Sequence, residues 1–589
     1  MDPVDQNCVN VYIPIGKKVP LSGSCNLSVS FGSVKILGAV LKAGSQAVDV
    51  IAPLSSNQVL IEIVSGESLA MIKPTAHFSE SAQKFLESKS REKFAVLRVK
   101  PISSSKSLTY RILETEAAHE GRHLQPRPKD SAAVKFLYTK TGVLIGSDDR
   151  PTVEIWPQLE ESLTAIARHS MQYDLESNTS SSRPCVIMVC GEKSAGKSTT
   201  CRAIINSLLS LKAFQEKGVA YLECDVGQTE FTPSAVVSWS LIKDHLLEPP
   251  FMHMHSSHNE NFIATFYGDL SPGQSPNRYF ECIKRVYTNI PSDISKNVPL
   301  VVNTMGWMKS LGLALLIDAY RLVQPDIVLH LRTEQDNSPE LTPEFFATSD
   351  GINTRPYNKI GQHLLLDVKV QRKVSGSRPG ESQPPPFFLR ALSTAGYLVQ
   401  CNEVLSSMNL SELPKCEVGS NGYIFVGICH ERVPASETKR AIIGSLVALC
   451  KIDVKMPPGY SAPQFLMTLP NGWIGNEFLG LGIVLDVDEN QRKMTVATPL
   501  ANRPELLKSV NCILRGLVTI ANSTIAQVVP DYLRQPTAPP IIQNQKDEAD
   551  REDNPFDAQR FGGRRDYNKR KRGIQPAGTN SRSNPNPDQ

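Results

Sequence analysis

Eight consecutive residues, Gly191-Glu192-Lys193-Ser194-Ala195-Gly196-Lys197-Ser198, fit the pattern GxxxxGK[ST] without a gap. Glycines in such a string let the backbone bend so that successive N–H groups face one point, which suits phosphate oxygens. Lys197 would then reach the β and γ phosphates of a nucleoside triphosphate, and the Ser198 hydroxyl would ligate magnesium. The flanks matter more than the string. The apolar run Val186 to Val189 precedes it as a strand, and TTCRAIINSLLSLKAF follows as a helix whose N-terminus adds partial positive charge.

A second acidic feature ends the apolar run VAYLECDVGQ. Side chains alternate along a strand, so Glu223 and Asp225 share a side and Cys224 faces away. A carboxylate at the end of a strand beside the loop strand can address the same magnesium; Asp225 is the first choice and Glu223 the second. Gln228 follows as a residue able to orient a nucleophile or a metal-bound water. His253, His255 and His258 have ligand-like spacing, but no Cys or acid completes a set, so a solvated loop is expected there. Guanine specificity has no support, because Asn358-Lys359-Ile360-Gly361 lacks the acid of an NKxD element. The stretch Leu270-Ser271-Pro272-Gly273-Gln274 follows the acids, whereas the ABC-type signature it superficially matches precedes them.

These groups need a scaffold of alternating strands and helices. PCVIMVC, VAYLECD, PLVVNTM and PDIVLHL read as strands, and TTCRAIINSLLSLKAF, PNRYFECIKRVYTNI and SLGLALLIDAYRLVQ as helices, the pattern of a doubly wound parallel α/β sheet. The expected fold class is a P-loop NTPase-type parallel core over 151–400. Flanking it are a β-rich domain over 1–150 and a second over 401–535, where GYIFVGICH and LGIVLDVDENQRKMTVATPL suggest a hairpin turning at DEN. Residues 536–589, rich in Pro, Asn, Gln and charge, are expected to form a disordered tail. The chain's 589 residues suffice for several such units. The net charge of +4 is too mild to argue for a polyanion by itself. Residues 559–589 nonetheless carry 8 bases against 2 acids, including Lys569-Arg570-Lys571-Arg572. The 12 cysteines form no CxxC, which points to a reducing compartment. No apolar run of about 18 residues suggests a membrane span, and a soluble intracellular protein is expected.

Taken in order, GEKSAGKST, YLECDVGQTEFTP, GDLSPGQSPNRYFECI and VVNTMGWMKSLGLALLID resemble the polynucleotide 5′-hydroxyl kinase family. The similarity covers most of 183–400 and is greatest to the nucleolar pre-ribosomal-RNA branch. It implies transfer of the ATP γ-phosphate to an RNA 5′-hydroxyl, with ATP and Mg2+ as cofactors. Gly191 through Thr199 would hold the nucleotide. The family phrase Asp-x-Asp-x-x-Gln falls on Glu223, Asp225 and Gln228, with Glu in place of the first Asp. Thr304, Gly306 and Trp307 match the clasp that positions the RNA end, and Arg390 in FFLRALSTAGYL maps to the lid. Trp307 lies just past a strand at the carboxyl edge of the sheet, where an aromatic ring can stack on a base for about 1–3 kcal/mol. The rival readings are an ATP-binding scaffold without turnover and a motor ATPase. The basic tail and the resemblance together imply a nuclear, nucleolar address, and the resemblance implies an endoribonuclease partner that leaves 5′-hydroxyl ends.

Overall fold

The computed structural model describes residues between 2 and 518; the longest internal stretches outside that description are 69–83, 103–130, 372–385 and 401–412. The basic tail, His255 and His258 also lie outside it.

Seven described strands make the central sheet, in the spatial order Phe262–Phe266, Val236–Ile242, Val219–Glu223, Leu300–Asn303, Val186–Gly191, Ile327–Arg332 and Leu364–Lys369. The loop strand Val186–Gly191 is therefore central and fully buried. Its side chains divide by parity. Val186, Met188 and Cys190 enter one core with helices Pro276–Thr288 and Ser310–Val323. Ile187 and Val189 enter the opposite core with helices Pro157–Glu176 and Lys197–Leu209. Helices on both faces explain why the strand reads as a continuous apolar run.

The expectation of a wholly parallel sheet needs correction. Five strands are parallel, whereas Val236–Ile242 and Phe262–Phe266 run antiparallel at one edge. A parallel return requires a crossover of a dozen or more residues, usually a helix. Between these edge strands the described residues offer only the 3₁₀ turn Pro250–Met252, so the chain doubles back beside itself.

Two further sheets brace this core. Strands between residues 2 and 153 form an 11-stranded sheet among the described residues. It meets the helix that follows the phosphate loop through Asn206, which is fully buried. The Asn206 side-chain amide donates to Leu37 O at 2.9 Å and to Leu246 O at 3.1 Å, and its Oδ1 accepts from Leu246 N at 2.6 Å. The third sheet has seven strands between 415 and 515, with Asn476–Asp488 paired antiparallel to Lys493–Ala497. The hairpin turn lies slightly later than DEN suggests. Asp488 Oδ1 accepts from Asn490 N and Gln491 N, so the aspartate closes the turn from the strand end.

Asn476 joins the third sheet to the edge of the central one. Its Oδ1 accepts from Phe266 N at 2.8 Å, its Nδ2 donates to Phe266 O at 3.1 Å, and its carbonyl accepts from Thr265 Oγ1. Asn476→Ala strands two buried backbone groups, and we expect a loss of about 2–3 kcal/mol in urea unfolding. A change below about 0.5 kcal/mol would show that this joint carries little.

Candidate active site

The phosphate loop leaves its strand through backbone that most residues avoid. Gly191 has φ 148°, Ser194 φ 62° and Gly196 φ 94°, after which the helix begins at Lys197. Lys197 is only 6% exposed, and its Nζ donates to Glu192 O at 3.1 Å, which curls the side chain back along the loop. Burial pushes the Lys197 ammonium below its ordinary range, an effect opposed chiefly by the charge of Asp225. Lys193, Ser194 and Gly196 are exposed, whereas Ser198 and Thr199 are partly covered and Ala195 is buried against the core. A loop with left-handed backbone at Ser194 and Gly196 that leads into a helix with lysine at its first position is the form a phosphate-binding loop takes.

Asp225 stands just past the end of Val219–Glu223. Its Oδ1 accepts from Gly227 N at 3.0 Å and Gln228 N at 3.4 Å, and its second oxygen makes no hydrogen bond among the described residues. Burial raises its carboxyl, with Lys197 the largest opposing influence. Gln228 is exposed beside it.

Glu223 departs from its expected role as a metal ligand. It is fully buried, and both oxygens are engaged inside the protein. Oε1 accepts from Asp225 N at 2.9 Å and Asn303 Nδ2 at 2.8 Å; Oε2 accepts from Tyr221 OH at 2.8 Å and Glu230 N at 3.2 Å. Four donors on one carboxylate make it a bracket for the strand ends, and Asp225 is left as the acid facing the loop. Asn303, which the sequence reading passed over, completes the bracket: its carbonyl accepts from Cys224 N, and its Oδ1 faces Cys201 Sγ at 3.8 Å on the loop helix. An Asn just before a Thr-x-Gly-Trp phrase was the available signal.

Thr304 is buried and donates through Oγ1 to Val189 O of the loop strand at 2.8 Å. Gly306 abuts the phosphate loop itself: a Cβ there would stand 2.7 Å from Lys193 Cα and 3.0 Å from Lys197 Nζ. Only glycine permits that approach. Trp307 is partly buried, its ring seated on Gly312, where a Cβ would come within 2.3 Å of Trp307 Cγ. A Cβ on Gly273 would lie 3.8 Å from the ring's far edge, so the SPGQ loop forms a neighbouring wall. Gly306 thus lies against the loop, Thr304 bonds to the strand that launches it, and Trp307 packs on Gly312 beside Gly273.

Other expectations fall differently. Arg390 is half-buried on helix Pro386–Gln400, whose Leu392, Tyr397 and Leu398 enter a core shared with the third sheet. That core is distinct from the one beneath the loop. Arg278 does not present itself to solvent phosphate: it is 8% exposed, its Nη2 lies 3.1 Å from Cys429 Sγ, and it sits over the Tyr267 ring at 5.6 Å. His253 itself is not solvated: its Nε2 lies 2.8 Å from buried Glu230 and its ring packs near Phe231.

Fold and site together define a P-loop nucleotide-binding protein. Residues 191–364 match the family model described as the mRNA cleavage and polyadenylation factor CLP1 P-loop. A chain from a solved Clp1p–Pcf11p complex superposes with a TM-score of 0.51 at 13% identity, covering 87% of this chain and 98% of that one. Over most of its length the chain is similar to proteins named polynucleotide 5'-hydroxyl-kinase. It is 28% identical to "Polynucleotide 5'-hydroxyl-kinase NOL9" of Bos taurus, over 89% of this chain and 78% of the relative. The Homo sapiens relative of the same name is 25% identical, over 90% and 78%.

The Glu223 bracket has a pH signature. Burial, followed by the charge of Asp225, raises its carboxyl well above the ordinary 4.5. Its favourable contribution to folding is full below about pH 4.5 and is lost as pH rises through the folded value. Glu223→Gln removes that loss, so the variant's unfolding free energy minus that of the wild type should climb with pH from 4.5 upward in urea titrations. A difference independent of pH would contradict the buried, protonatable bracket.

Proposed function

We propose that this chain transfers the γ-phosphoryl group of ATP to the 5′-hydroxyl of RNA. The observation that carries this reading is the meeting of three features at the carboxyl ends of three adjacent strands: Lys197 in its loop, Asp225 at the end of a strand two away, and the segment from the strand between them, whose Gly306 is pressed against Lys193. The kinase names of the relatives support it.

Phosphoryl transfer proceeds through a loose transition state, so alignment and charge stabilisation are what the protein must supply. The loop N–H groups and Lys197 hold the β and γ phosphates. Trp307 offers a face to the first base of the RNA, with Thr304 and Gly306 fixing its height above the loop. The RNA 5′-oxygen forms a bond to the γ phosphorus as the bond to the bridging oxygen of ADP breaks. Asp225, raised by burial, is placed to take the hydroxyl proton, and Gln228 to orient the hydroxyl. Mg2+, for which the Ser198 hydroxyl is the available ligand, would neutralise charge on the phosphates. Arg390 is given no step, because its helix is committed to another core. The NOL9 names and the basic run Lys569–Arg572 support a nucleolar role in pre-ribosomal RNA processing; an endoribonuclease partner that leaves 5′-hydroxyl ends follows from the family resemblance alone.

Labelled ATP with a 5′-hydroxyl RNA tests the reading. Label should appear on the RNA, and Lys197→Ala and Asp225→Asn should each lower the rate by about a hundredfold or more. RNA-stimulated phosphate release without labelled RNA would indicate a motor, binding without turnover a scaffold, and full activity in both variants would remove the site.

A further inference from the structure

We propose that Lys309 binds the first internucleotide phosphate of the RNA, making it a substrate-binding residue that sets affinity for polynucleotide over ATP. The inference rests on the kinase reading above and adds a contact to it.

Lys309 follows Trp307 by two residues and precedes helix Ser310–Val323. Its side chain is 60% exposed, and its Nζ lies 3.5 Å from Glu192 Oε1 in the phosphate loop. The carbonyl of that same Glu192 accepts the bond from Lys197 Nζ at 3.1 Å. One residue therefore has the buried loop lysine at its backbone and the exposed Lys309 at its side chain. The two cations serve different distances. Lys197 is curled into the loop, where the nucleotide phosphates bind, while Lys309 stands outside it on the side of Trp307. An RNA 5′-hydroxyl that reaches the loop carries its first phosphodiester one ribose further out, on that outer side.

The Glu192–Lys309 pair can be exchanged at small cost. With the Lys309 end in water and a separation of 3.5 Å, the pair is close to the surface kind that contributes about 0–1 kcal/mol, because water screens the ammonium and the lysine side chain must be held still. Glu192 does not depend on it, since its Oε2 also accepts from Thr333 Oγ1 at 3.1 Å. A phosphodiester offers Lys309 a full charge and several acceptor oxygens in place of a shared carboxylate. In the free protein Glu192 parks the lysine at the mouth, and the incoming strand takes it over.

The experiment compares wild type, Lys309→Ala and Lys309→Arg on two oligonucleotides, one normal and one with an uncharged methylphosphonate at the first linkage. Lys309→Ala should raise KM for normal RNA roughly tenfold, the scale of one lost charge-assisted contact. KM for ATP and kcat should stay within about twofold, and the slope of log KM against log salt should become shallower by about 1. Lys309→Arg should restore most of the affinity. On the methylphosphonate substrate wild type and Lys309→Ala should have the same KM. An unchanged KM for normal RNA, or a tenfold effect that persists on the uncharged linkage, would overturn the assignment. Wild-type protein that puts no label on either RNA would instead overturn the kinase reading, and this contact with it.

Discussion

The site depends on hydrogen bonds buried where Leu300–Asn303 ends between two neighbours. On one side Asn303 donates to Glu223; on the other Thr304 donates to the carbonyl of Val189. These two bonds fix three strand ends at one height: the strand that launches the phosphate loop, the strand that ends before Asp225, and the strand that leads to Gly306 and Trp307. Reacting groups must be held within a fraction of an ångström for alignment to accelerate a transfer. Bonds between fully buried groups hold such tolerances, because breaking one leaves a polar atom without water to replace its partner.

The outer sheets extend this rigidity. Asn206 ties the middle of the loop helix to Leu37 in the N-terminal sheet and to Leu246 beyond the antiparallel edge. Asn476 ties the other edge strand to the third sheet. Arg278 reaches from helix Pro276–Thr288 to Cys429. That helix starts just past the SPGQ loop walling Trp307, so the third sheet braces the Trp307 side of the site as the first sheet braces the helix that follows the phosphate loop.

How much of this the sequence disclosed follows from the range of each interaction. The strand, loop and helix around Gly191–Ser198 are local, and their periodicity and glycines could be read directly. The strands of the N-terminal sheet and the hairpin ending at Asp488 were also legible, because alternation and turn chemistry act over a few residues. Glu223 was different. Its position on the strand face suggested a metal ligand, but its partners Asn303 and Glu230 come from elsewhere in the chain, and no spacing rule brings them together. His253 was misjudged for the same reason: its partner is Glu230. The antiparallel edge was hidden because VVSWSLI is buried along its length and lacks a helix to mark its return. The sequence pattern reported which groups exist; which of them face the phosphate loop was decided by long-range pairing.

The most direct test is a crystal structure of the full chain with Mg2+, a non-hydrolysable ATP analogue and a 5′-hydroxyl oligonucleotide. The account predicts the γ phosphate on the loop N–H groups and Lys197, the 5′-oxygen in line with it beside Asp225, and the first base on Trp307. A γ phosphate turned away from the Gly306–Trp307 segment, or RNA bound on another face of the molecule, would contradict it.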